Sequence, residues 1–153
     1  MTDSQKLAEW GPLFARLALG IPMFVAGVGK VLNFGPKATG IDGFSMMLGG
    51  IGLPAPTVFA WLVGVSELVG GALLLAGVLV RVSGAVVAVI MLVATVAVHL
   101  PQGYPAADGG VELTLALFFV ALSLVLTGPG RLSVERELLD GELLALPKRL
   151  SDG

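Results

Sequence analysis

An all-α integral membrane protein, built as a four-helix bundle, is the fold this sequence predicts, and three observations predict it. Charged residues make up only 13% of the chain and hydrophobic ones 56%. A soluble domain carries about a quarter charged residues, so this chain has too few ionisable groups to coat a water-facing surface. Four apolar segments approach the length of about 20 residues that crosses a bilayer as a helix. Prolines stand at their borders: Pro54 and Pro56 before the second, Pro101 after the third, Pro129 after the fourth.

The first span is expected at 12–32, with Pro22 kinking it. The N-terminal residues lack a basic start and an A-x-A-like site, so this segment reads as a retained span and not a signal peptide. The second span is expected at 56–79 and the third at 82–100, joined by a tight turn at "VRVSG", Val80–Gly84. The fourth is expected at 111–127. Between spans one and two, "NFGPKATGIDGFSMMLGGIGLPAP" is too apolar for a solvated loop and too short to cross. It predicts a short interfacial or re-entrant helix, with Met46 and Met47 as packing residues. After "GPG", the leucines from Leu138 onward alternate with charges, predicting an amphipathic surface helix in the tail 128–153, with Ser133 as its N-cap. The whole chain, 1–153, reads as a single membrane domain. Trp10, Trp61 and Tyr104 suit the membrane–water boundary.

Basic residues set the expected orientation. Lys6, Arg81, Arg131, Arg136, Lys148 and Arg149 flank one side, and only Lys30 and Lys37 the other, which predicts a cell-membrane protein with both termini cytoplasmic. The net charge of −2 and the lack of a basic stripe argue against a nucleic-acid partner. With no cysteine, disulfide, thiol and iron–sulfur chemistry by this chain is excluded. A single histidine makes neither a metal site nor a bis-histidine haem site within one chain.

Ionisable residues inside spans are expensive and mark candidate sites. Ala60, Gly64, Glu67 and Gly71 share one helical face, so Glu67 faces the bundle and not lipid. Entering at Pro56, Glu67 lies about 16 Å along its helix, near the midplane. Arg16, from the inner half of span one, is its expected partner; His99, closing span three, is expected to pair with Glu112, opening span four. Lys30 belongs to the same outer group. Each has a plainer reading. Arg16–Glu67 would fix helix register, Glu112 would answer a helix dipole, and Lys30 would snorkel to the interface.

The strings "RLALGIPMFVAGVGKVL" (Arg16–Leu32), "LPAP" with "SELVGGALLLAGVLVR" (Ser66–Arg81), the histidine closing span three, the acid opening span four, and "GPGRLS" (Gly128–Ser133) together resemble the DoxX family of small four-span membrane proteins. The resemblance implies a redox-linked function, since members include subunits of thiosulfate:quinone oxidoreductases. Arg16, Glu67 and His99 match the family's pattern. The absence of cysteine counts against thiosulfate chemistry by this chain alone.

Quinone reduction needs hydrogen-bond donors and a proton route, which a histidine and a buried carboxylate supply. The expectation is therefore a quinone-binding subunit, with His99, Glu112, Glu67, Arg16 and Lys30 as cofactor-contacting residues. Electrons would come from a redox partner protein or a further cofactor. A non-catalytic assembly or scaffold protein and a small proton-coupled transporter are the alternatives, and a homo-oligomer is compatible with each. No catalytic activity is evident from this chain alone, and its other expected partners are the bilayer and a lipid-like ligand.

Overall fold

The computed structural model describes residues 8–138, and among them there is helix and no strand. Helix α1 is Gly11–Val31, α2 Gly40–Gly50, α3 Pro56–Ala76, α4 Val80–Ala94, α5 Glu112–Thr127 and the short α6 Val134–Leu138. A wider π turn, Thr95–His99, and a 3₁₀ turn, Leu100–Gln102, prolong α4, so Val80–Gln102 is one apolar rod of 23 residues. That rod, α1 and α3 are long and apolar enough to cross a membrane. Helix α5 is equally apolar but has 16 residues. The outward surface is inverted relative to a soluble protein. Phe14, Val58, Leu62, Val89, Phe119 and Leu126 are each at least 60% exposed, a surface that only lipid would cover comfortably.

The core lies where the helices cross. Leu19, Leu74, Val80, Val87, Ala121 and Leu124 have no exposed surface. The closest approach is between α1 and α3, and glycine makes it possible. A Cβ at Gly71 would sit 2.5 Å from the Phe24 amide nitrogen, and one at Gly27 would sit 2.5 Å from Leu68 Cα. Gly20 faces Leu75, and Gly64 faces Lys30 and Val31. The two helices therefore run antiparallel with backbones nearly touching, in a register set by glycines spaced seven apart on each.

Two expectations about local structure change. The α3–α4 turn is Gly77–Leu79, not Val80–Gly84: Gly77 (φ 73°) and Leu79 (φ 49°) are left-handed, and the Val78 N–H donates to Leu73 O at 2.9 Å. Gly84 is instead a packing glycine, 3.2 Å from Ala121 O where a Cβ would stand. Pro22 lies inside α1, as expected, and the helix continues on both sides of it. Met46 and Met47 are not packing residues, because α2 turns both outward, 73% and 44% exposed. The predicted helix between the first two spans is present as α2, packed on α3 and α1. Ser133 caps α6 as expected, its Oγ accepting from the Arg136 N–H at 3.3 Å. The rest of the predicted amphipathic segment lies outside the described residues.

The α1–α3 contact leaves no room for a methyl group, so Gly71→Ala must push the helices apart at a cost of about 1–3 kcal/mol. A lowered Tm in detergent is expected, whereas Gly50→Ala, with nothing within 4 Å of the added Cβ, should leave Tm unchanged or raise it.

Candidate functional site

The face predicted for Glu67 is the face it occupies: Ala60, Gly64, Glu67 and Gly71 are all buried. Its partner is different. Lys30 Nζ donates to Glu67 Oε2 in a buried ion pair, with the two side chains 15% and 5% exposed. The glycine register explains why. Gly27 lies opposite Leu68 and Phe24 opposite Gly71, so Glu67 is level with Val28 of α1. Lys30 is half a turn from that level, and Arg16 is about 18 Å away along the axis at helical rise. No Arg side chain closes such a gap. The ammonium of Lys30 also lies 4.7 Å from the centre of the Phe44 ring, a cation–π contact from α2. Lys37 adds its charge to the field at Glu67. Lys30 thus does not snorkel away to the interface. It turns inward to a carboxylate that would otherwise be stranded in an apolar shell.

Arg16 serves the opposite end of the bundle, beside the start of α1 and the segment that follows α5. It is 1% exposed; Nη1 donates to Pro129 O at 2.9 Å and Nη2 to Leu132 O at 2.8 Å. The "GPGRLS" stretch is therefore a strap folded over the guanidinium. Pro129 and Ser133 are fully buried, and Glu135, 3% exposed, faces Arg16 electrostatically. The Glu135 N–H donates to Gly77 O at 3.2 Å, which ties the strap to the α3–α4 turn. Glu9 holds its outer side, 3.9 Å from Arg131 and 3.8 Å from Arg136. A groove of about 430 Å³ lies beside this strap, between α1 and α5, lined by Pro12, Ala15, Ser123, Thr127 and Arg136 among others. None of the five predicted site residues lines it.

His99 and Glu112 do not pair either. His99 Nδ1 lies 2.5 Å from Gly109 O, and Glu112 Oε2 accepts the Ala106 N–H at 3.0 Å. Both side chains serve the folded loop between α4 and α5, whose backbone groups need partners more than the side chains need each other. A carbonyl only accepts, so Nδ1 of His99 carries a proton in this bond. One turn away from His99, Thr95 Oγ1 donates to Thr114 Oγ1 at 2.9 Å and fastens the π turn to α5.

The predicted ladder thus separates into three stations: Lys30–Glu67 inside the bundle, His99 and Glu112 on one loop, and Arg16 under the strap. The residue missed as a partner was Lys30, because the relative slide of the two helices decides it. In the register where Gly27 meets Leu68 and Gly71 meets Phe24, residue 30 stands two residues from the level of Glu67.

Removing one member of a buried pair leaves the other charge uncompensated, at a cost of about 3–5 kcal/mol. Glu67→Leu and Lys30→Met should each lower Tm strongly, and the double variant Lys30→Met/Glu67→Leu should recover most of the loss. At the other end, Arg16→Lys cannot reach both carbonyls of the strap. Trypsin should then cut at Arg131 many times faster in purified protein, with Arg16 of the parent chain as the reference state.

Comparison with known proteins agrees with a membrane assignment. The DoxX family model matches residues 11–100, from the start of α1 to the residue after the π turn. A Bacillus subtilis (strain 168) protein named "Putative oxidoreductase CatD" is 29% identical over 137 residues, 90% of this chain and 93% of that one. A Mycobacterium tuberculosis protein named "Uncharacterized membrane protein Rv3486" is 32% identical over 133 residues, 80% of this chain and 78% of that one. No solved structure matches. With the family's profile spanning all three long helices and the buried pair between them, this chain belongs to the DoxX family of membrane proteins.

Proposed function

We propose that this chain is a quinone-binding membrane subunit of a redox system, set in the cell membrane with α5 as a fourth span and both termini cytoplasmic. The observation that carries the reading is the Lys30–Glu67 pair. It gathers a hydrogen-bond donor, a carboxylate and an aromatic face inside an apolar shell. Those groups fit a quinone: an ammonium matches a carbonyl oxygen, Phe44 matches the flat ring, and Ile41 and Val31 supply apolar walls near Gly64. When bound, a quinone supplies coupled electron and proton transfer. The similarity to a protein named as an oxidoreductase supports a redox setting.

Within that reading the chain's own residues hold and move protons. A quinone carbonyl oxygen would be held by the Lys30 ammonium, which Glu67 orients, and the Glu67 carboxylate would serve as the proton-exchanging group beside it. The apolar face of α2 keeps water away. His99, its Nδ1–H held by Gly109, presents Nε2 as a proton-exchanging group at the loop end, and Glu112 keeps that loop folded. Arg16 has both terminal nitrogens engaged by the strap, which gives it a part in holding the bundle and not in contacting the ligand.

A second reading, a non-catalytic assembly protein, draws on one observation: Lys30 and Glu67 neutralise each other, as a pair that only fixes register would. The double variant Lys30→Met/Glu67→Leu separates the two, since it keeps the fold and removes both charges. Protein purified without delipidation should carry extractable quinone, and the double variant should carry at least tenfold less. Equal quinone content in parent and variant defeats the proposal and favours the assembly role.

A further inference from the structure

Helix α2 lies over the Lys30–Glu67 pair, and its construction is that of a movable cover. Its inner side supplies Ile41, Phe44, Ser45 and Leu48, the last two buried. Its outer side exposes Met46, Met47 and Ile51 to the apolar surroundings. Four of its 11 residues are glycine, Gly40, Gly43, Gly49 and Gly50. Each glycine weakens a helix about fivefold relative to alanine, so packing and not propensity keeps α2 in place. Polar fastening is sparse: Ser45 Oγ and Thr57 Oγ1 share a hydrogen bond of 2.9 Å.

The segment before it is firmly seated. Thr39 N–H donates to Gly29 O at 3.2 Å, and the Lys37 backbone presses on Gly29 too closely for any side chain there. Past that footing, Gly40 has φ +63°, and beyond the helix Gly52 has φ +82°, with open space around it. Backbone rotation at these two glycines would let the helix swing off its seat on α3 without unseating the Thr39–Gly29 footing. Along the inner side, Phe44 is the group that stands over Lys30.

We infer that α2 is a lid over the Lys30–Glu67 pair, hinged at Gly40 and Gly52. A membrane-dissolved ligand with a hydrogen-bond acceptor enters sideways from the bilayer as Phe44 lifts from Lys30. The inference rests on the site described above and names its route of access and its ligand class: an amphiphile that arrives through lipid and not through water.

The absence of cysteine makes a clean test available. Ser45 and Thr57 already touch through their hydroxyls, so Ser45→Cys/Thr57→Cys can lock the lid with a disulfide. In liposomes, labelling of Lys30 by a lipid-soluble amine-reactive ester is followed by mass spectrometry, with the exposed Lys37 as internal reference. Oxidation should slow Lys30 labelling at least tenfold and leave Lys37 unchanged; reduction should restore it. Phe44→Ala should speed Lys30 labelling severalfold in the unlocked chain, a readout that does not depend on the disulfide forming. Lys30 labelling that ignores the lock, or ignores Phe44→Ala, overturns the lid. Decylubiquinone should protect Lys30 in the reduced protein. A lid effect without that protection leaves the lid standing and removes the quinone reading alone.

Discussion

The near-contact of two backbones, α1 against α3, is the constraint on which the rest of the molecule depends. In lipid there is no hydrophobic force between helices, so association relies on close packing and on polar contacts. Gly20 and Gly27 on one helix and Gly64 and Gly71 on the other remove the side chains that would hold the axes apart. Once the axes are that close, sliding by a turn would drive Leu68 or Phe24 into a neighbour's backbone. Register is thereby a steric matter, decided before any charge is considered. Lys30 meets Glu67 because the glycines put them together, and the ion pair confirms a register it did not choose.

Each of the five predicted side chains then finds a partner at its own level of the bundle. Lys30 has a carboxylate, Arg16 has two carbonyls, and His99 and Glu112 have the backbone of their own loop. The pattern follows from the cost of an unsatisfied polar group in an apolar medium. Backbone groups of turns and straps are as needy as side chains, and they lie nearer. Long-range pairing of side chains across the bundle is the less common outcome, and here only Lys30–Glu67 achieves it among the predicted residues.

That preference also explains what could be read from the chain itself. The helices announced themselves through hydropathy and proline, and the inward face of Glu67 through the small residues at helical spacing around it. Ser133 as a cap was legible because capping is a local event. Partners were harder, because they depend on the relative slide of two helices, which composition does not encode. Arg16 and Glu67 matched in sign and rough depth, and depth counted from a span's end is uncertain by several ångströms. The α3–α4 turn was misplaced for a similar reason: Gly84 looks like a turn glycine in one dimension and is a packing glycine in three. The outward methionines of α2 could not be distinguished from core residues, since lipid and protein interior make the same demand on a side chain.

The strap over Arg16 has a consequence for how the protein comes into being. The carbonyl that receives Arg16 Nη1 is 113 residues further along the chain. When α1 first enters the bilayer, that carbonyl has not been synthesised, and the guanidinium must stay with water or lipid headgroups at the membrane edge. It can draw in only after α5 is in place and the chain turns back across the bundle. The first helix to arrive is therefore the last to be satisfied, and Arg16 acts as a built-in marker of completion: a bundle that has closed over its arginine is a bundle with all its helices present.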